Sequence, residues 1–224
     1  MNYIKLISVT FILFCTIGFS QNSDVEHIYT NATSLTSVDL TSKKLVGSSY
    51  IDVDFRPAKV SNSEAIYLIR YNAYLDEMEI EISGKAYYLP KSNNYTVTFE
   101  GVNKVYQLSN YDEKGTQKKG FFMVLTSGDN ISLLKQEKIK LYEEVPAKLG
   151  FTRYEPPKLS RVKDKYFIGY KNKTTVELPK KKKDFLNLFS SKSKDIGGFM
   201  KKNKLNIKNT EHLTQIFNYY KTIN

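Results

Sequence analysis

The densest set of groups capable of acid–base chemistry lies between residues 76 and 81. Asp76, Glu77, Glu79 and Glu81 place four carboxylates within six residues, and Asp52 and Asp54 lie upstream. Such a set can bind calcium, or supply the acid/base pair that cleaves a glycosidic bond. The same residues have a plainer reading. Glu77-Met78-Glu79-Ile80-Glu81-Ile82 alternates strictly. A period of two sends Met78, Ile80 and Ile82 to one face of a strand and the three glutamates to the other. An antiparallel strand with one wet face has this pattern. The D-x-D-x-D-G spacing of a calcium loop does not occur.

Nucleophilic and metal chemistry finds less support. The histidines are His27 and His212, and Cys15 is the one cysteine. They form no H-E-x-x-H or Cys/His cluster, and the sequence has no G-x-S-x-G elbow, Walker loop or G-x-G-x-x-G turn. No catalytic, metal-ligating or cofactor-binding residue is assigned, and no cofactor is expected.

Two further groups of residues can recognise a partner. The chain has 17 Tyr, 13 Phe and no Trp, and Tyr71, Tyr74, Tyr87 and Tyr88 gather around one hairpin. Exposed tyrosines stack on sugars or anchor a protein, so these four are the candidate ligand face. Tyr is also a favoured strand residue, which gives the same cluster a structural reading. The second group is cationic. From Lys158 onward there are 17 Lys or Arg against 5 Asp or Glu, whereas residues 21–157 carry 16 against 18. The densest run is Lys180-Lys181-Lys182-Lys183. These four lysines are the candidate contacts to an anionic surface: lipid headgroups, lipopolysaccharide or an acidic glycan. All but Arg161 of the basic residues in this third are Lys. Lysine lacks the forked geometry that favours phosphate, and a solvated surface is the alternative reading.

The elements that must carry these groups are mainly strands. Residues 66–71, 77–82, 86–89, 95–99, 102–108, 120–125 and 131–142 read as β, separated by turns at Ser83-Gly84, Glu100-Gly101, Asp112 to Gly115 and Ser127 to Asn130. No helical crossover separates them, so an antiparallel meander is predicted, packed as a sandwich or partial barrel. After Pro156-Pro157 one more hairpin follows, residues 165–170 and 174–178 around Asn172. The period then turns helical: Phe185, Leu188, Phe189; Ile196, Phe199, Met200; Leu213, Ile216, Phe217, Tyr220. Asn209 or Thr210 can cap the last helix. The fold class is α+β, mainly β, with a small C-terminal group of short helices packed on the sheet.

The amino end reads as an export signal. Lys5 supplies a positive start, Leu6 to Phe19 is an uncharged run of fourteen residues, and Gly18 and Ser20 are small at the −3 and −1 positions of a cut before Gln21. The run is short of the about 20 apolar residues that span a bilayer. The expected division is a signal peptide 1–20, a loose arm 21–45, an antiparallel β domain 46–157, and a basic hairpin with short helices 158–224. Removal of the signal removes Cys15, leaving no disulfide and no thiolate. The mature chain has no second spanning run, and export places it in the periplasm, at the cell surface or outside. Nucleic acid is not an expected partner.

The segment Gly47 to Phe55, the pair Lys59-Val60 and the run Ile69-Arg70-Tyr71-Asn72-Ala73-Tyr74-Leu75-Asp76-Glu77-Met78-Glu79 resemble a pattern in small exported Gram-negative bacterial proteins of unknown function. A D-x-x-G turn before an aromatic strand, as at Asp112 to Phe122, and Lys-rich terminal helices belong to the same pattern. The resemblance implies export and a β-rich body, and transfers no activity. In physical terms the R-Y-N-x-Y-x-D-E run is a tight hairpin. Asn72 and Asp76 can bond the turn backbone, and Arg70 is expected to pair with Asp76 or Glu77. The reading is a non-enzymatic binding module that meets an envelope protein or an anionic surface. The alternative is a carboxylate-dependent hydrolase acting on envelope glycans.

Overall fold

A computed structural model describes residues 45–224, apart from 62, 93, 129, 130, 172 and 173. The expected signal peptide 1–20 and all but the last residue of the expected loose arm 21–45 lie outside the described residues. The main sheet has ten strands: β1 (Arg56–Val60), β2 (Ile66–Asn72), β3 (Glu77–Ile82), β4 (Lys85–Tyr88), β5 (Thr96–Phe99), β6 (Lys104–Glu113), β7 (Thr116–Thr126), β8 (Ile131–Gln136), β11 (Lys165–Tyr170) and β12 (Val176–Glu177). A separate two-stranded sheet pairs β9 (Ile139–Tyr142) with β10 (Lys158–Arg161). Three helices follow, α1 (Lys182–Asn187), α2 (Ser193–Lys202) and α3 (Thr210–Ile223), with a 3-10 turn at Ser190–Lys192. Among the described residues no helix is long and apolar enough to cross a membrane.

The sheet runs β12-β11-β8-β7-β6-β5-β1-β2-β3-β4, and every pairing is antiparallel. It is two meanders joined at one seam, where Ala58, Lys59 and Val60 of β1 pair with Phe99, Thr98 and Val97 of β5. The β4–β5 connection, of which residues 89–92, 94 and 95 are described, leads from the β4 edge to that seam. The hairpins are set by local chemistry. Ser83-Gly84 and Lys114-Gly115 both hold positive φ at two successive residues (50° and 74°; 56° and 84°). This is the two-residue turn whose twist matches the flanking strands. The side chain of Asp112 accepts from Gly115 N at 2.8 Å.

The sheet curls into a half-barrel. At one end a bridge joins Tyr111 to Thr175, with Thr175 N donating to Asn110 O at 2.8 Å. Tyr111, Phe122, Leu134 and Phe167 fill the bend, their rings edge-on at 4.8–6.0 Å. The main core holds Ile69, Tyr71, Ile80, Val97, Leu108 and Phe121 on one face of the sheet. The small sheet adds Ile139 and Leu159 to it. A third cluster seats Phe185, Phe189, Ile196, Leu213, Ile216 and Phe217 of the helices on Leu133 and Ile168 of β8 and β11. Each such side chain contributes about 1.5–3 kcal/mol by leaving water. The expected antiparallel body and short helices on the sheet are therefore the observed architecture.

Two details differ from the sequence reading. Residues 131–142 are not one strand. The chain bends at Glu137-Lys138, and β9 leaves the main sheet to pair with β10, fixed by Ile139 N donating to Ala73 O at 3.0 Å. The strand β1, which carries the seam, was not separated from its surroundings, because Arg-Pro-Ala-Lys-Val has weak strand propensity.

Candidate functional site

The β2–β3 hairpin carries Arg70 and Asp76, but they do not pair. The register sets Arg70 opposite Glu79, and Asn72 opposite Glu77. Arg70 Nε donates to Glu79 Oε2 at 2.7 Å. Its guanidinium lies over the rings of Tyr50 (3.9 Å) and Phe55 (4.2 Å). Glu79 also accepts from Tyr50 Oη at 3.0 Å and Asn72 Nδ2 at 3.0 Å, and is only 2% exposed. The wet face expected of Glu77, Glu79 and Glu81 is thus covered at its centre. The segment carrying Tyr50 and Phe55 lies across it. Burial, then the Glu79 charge, pushes the Tyr50 hydroxyl up to about 12. The hydroxyl therefore acts as a donor, and the whole group is saturated and structural.

Asp76 turns the other way, in the left-handed region (φ 58°) where a short polar side chain is tolerated. Its Oδ1 accepts from Tyr71 Oη at 2.8 Å and from Phe121 N at 3.1 Å. Lys91, brought in by the β4–β5 connection, reaches Asp76 at 3.5 Å and Glu77 at 3.1 Å. Burial raises the carboxyls of both Asp76 and Glu77, and Lys91 pulls each partly back. Gly120 is what lets Asp76 come so close. A Cβ there would stand 2.7 Å from Asp76 Oδ2. The sequence reading did not include Lys91. It lies after Pro90 in a segment without periodicity.

The four tyrosines do not form one exposed face. Tyr71 is a core residue at 5% exposure, packed on Tyr106 at 5.0 Å, because it shares the inward face of β2 with Ile69. Tyr74 and Tyr87 are half-buried against the same core. Tyr88 is half-buried, and burial raises its hydroxyl.

A second buried carboxylate, Glu137, was not singled out by the sequence. It is 4% exposed and accepts from Tyr106 Oη at 2.5 Å and from Arg161 at 2.8 Å, with Lys135 at 3.0 Å. Burial pushes it up, but the Tyr106 bond and the charges of Lys135 and Arg161 outweigh that and hold it below its ordinary value. Asp164 completes the network through Arg161 at 3.0 Å. This group fixes the bend where β9 departs.

The cationic third is presented outward. Lys180, Lys181, Lys182 and Lys183 are all exposed, at the entry to α1. Beside them a groove of about 590 Å³ is lined by Lys163, Lys165, Lys180 and Lys208, with Asp164 and Glu177 among them, over a floor of Tyr166, Leu178 and Ile207. Lys165 and Lys180 share Glu177 at 3.7 and 3.9 Å. Among the described residues no carboxylate lies within ion-pair reach of Lys163 or Lys208. A second, more polar groove of about 1100 Å³ is lined by Asn94, Gln107, Ser109, Asn110, Lys171 and Thr174. Among the described residues, no cluster of three or more His, Cys, Asp or Glu is placed to hold a metal ion.

No family model matches the chain, no curated protein matches it, and no solved structure matches its fold.

Proposed function

We propose that this chain is an exported, non-enzymatic binding module of the cell envelope, whose basic C-terminal third engages an anionic surface. The observation that carries the reading is the charge division, 17 basic against 5 acidic residues from Lys158 onward, together with the exposure of Lys180 to Lys183 beside a lysine-lined groove. An apolar floor under a cationic rim suits lipid headgroups or lipopolysaccharide, whose phosphates sit above hydrocarbon. The likeness to small exported proteins belongs to the same proposal, as does cleavage before Gln21. Binding to vesicles of phosphatidylglycerol or to lipopolysaccharide is the test. It is expected to be strong at low salt and to weaken near 1 M, where the screening length falls to about 3 Å. Replacing all four lysines 180–183 by Gln is expected to weaken it further. Failure to bind either surface at low salt removes the reading.

A second reading, carboxylate-dependent hydrolysis of envelope glycans, draws on one observation. Asp76 and Glu77 converge on Lys91, and burial raises both. Neither residue lines either of the two grooves described above. The cluster instead ties the β4–β5 connection to the β2–β3 turn. Glycan-hydrolysing activity lost in Glu77→Gln, with unchanged melting, would establish this second reading.

A further inference from the structure

Between β9 and β10 the chain runs out from the body as a narrow arm. Val145 and Glu155 bridge, with N–O distances of 2.9 and 3.0 Å, and Lys148 and Thr152 bridge nearer the tip. The turn is closed by Phe151 N and Thr152 N, both donating to Lys148 O at 3.0 and 3.1 Å, with Gly150 at φ +77°. Thr152 Oγ1 donates to Pro146 O at 3.3 Å. At this tip Leu149 is 100% exposed and Phe151 is 89% exposed. They are the two most exposed large apolar side chains among the described residues, and they do nothing for the fold.

We propose that this tip inserts into the interfacial layer of an anionic lipid bilayer, with Leu149 and Phe151 entering the apolar boundary and Lys148 and Arg153 holding the headgroups. The proposal rests on the reading of the chain as an envelope binding module, and names the surface and the element that enters it. Three observations support it. The ten residues from Val145 to Tyr154 carry Lys148 and Arg153 and no carboxylate, the acidic residues of the arm, Glu143, Glu144 and Glu155, standing at its base, so the charges next to the apolar tip in the chain are positive. That is the complement of an anionic headgroup layer, with long cationic stems reaching outward as the apolar residues enter. Lys148 N, Phe151 N and Thr152 N are already bonded within the arm, so these groups enter the boundary paired. The arm is also a hairpin tied by the Val145–Glu155 and Lys148–Thr152 bridges, which limits the conformational freedom it has to lose.

The test uses the full mature chain. Because the sequence contains no Trp, Phe151→Trp places a single indole at the tip. On addition of phosphatidylglycerol-containing vesicles its emission is expected to shift to the blue and to be quenched by lipids labelled near the headgroup end of the acyl chain. Leu149→Ser with Phe151→Ser is expected to lower the partition coefficient by about tenfold or more while leaving the melting temperature unchanged. Lys148→Gln with Arg153→Gln is expected to weaken binding to anionic vesicles alone. If the protein binds these vesicles but the tip variants bind equally well and the indole emission stays fixed, the insertion is overturned while the electrostatic reading survives. If the indole shifts with protein concentration in the absence of lipid, the tip docks on a second copy and the proposal fails. If no variant and no wild-type protein binds, both readings fail together.

Discussion

Arg70 and Glu79 face one another across the β2–β3 hairpin as register partners, and their charges meet at 2.7 Å with Glu79 only 2% exposed. Taking a carboxylate out of water costs several kcal/mol, and the pair is sustained because Tyr50 and Asn72 satisfy the remaining lone pairs. The geometry therefore predicts an asymmetric response to mutation.

Arg70→Ala leaves Glu79 buried beside two neutral donors, and is expected to cost about 3–5 kcal/mol in urea unfolding. Glu79→Leu combined with Arg70→Met removes both charges and is expected to recover most of that loss. A double variant no more stable than Arg70→Ala would contradict the assignment.

The buried Glu137 and the half-buried Asp76 respond to pH with opposite sign. Glu137 lies below its ordinary 4.5 in the folded chain. The unfolded chain therefore binds its proton more readily. Its contribution is complete above 4.5 and is lost as pH falls through the folded value. Asp76 is raised from 3.8. Its contribution is complete below 3.8 and is lost as pH rises through the folded value. Melting curves across the acid range are expected to show Glu137→Gln losing the acid-side rise in stability and Asp76→Asn losing the decline that follows. Profiles that superimpose on wild type would sink both assignments.

Two glycines are predicted to differ in sign. At Gly120 a Cβ would meet Asp76 at 2.7 Å and Tyr111 at 2.9 Å. Gly120→Ala is expected to destabilise by about 1–3 kcal/mol, as overpacking does. At Gly198, exposed on α2, a Cβ meets nothing within 4 Å. Gly198→Ala is expected to stabilise by about 0.5–1 kcal/mol, because alanine has less freedom to lose in a helix. Thermal melts of the two variants check both.

Asn209 caps α3, its side chain accepting from His212 N at 2.8 Å. Asn209→Ala is expected to cost about 1 kcal/mol, and Asn209→Asp to restore it, the added charge suiting the positive end of the helix. Equal stability of the alanine and aspartate variants would rule the cap out as a contributor.

Much of the fold was legible because its signals are local. The Ser83-Gly84 turn, the alternation in β3 and the spacing of Leu213, Ile216, Phe217 and Tyr220 each act within a few residues. What was not legible is set by distant chain. Alternation in β3 separates two faces, but cannot say that Tyr50 and Phe55 cover the second one. The Arg70–Glu79 pair was open to derivation. A four-residue loop between Asn72 and Glu77 makes 70 and 79 opposite, whereas pairing Arg70 with Asp76 ignores that register. Tyr71 follows the same rule, since it must share a face with Ile69. Lys91 and Glu137 left no local signal, because each owes its place to a crossing or a bend between sheets. The exposure of Lys180 to Lys183 was readable from their density, which no core accommodates.

The helices that seal Leu133 and Ile168 all come from residues 182–223, after every strand they cover. A chain built from its amino end therefore completes β8 and β11 well before their cover exists. During that interval the nascent product carries a naked oily flank, which gives neighbouring unfinished copies something to stick to. A chain cut short before residue 182 is thus expected to aggregate at concentrations where one that carries the helices stays dispersed.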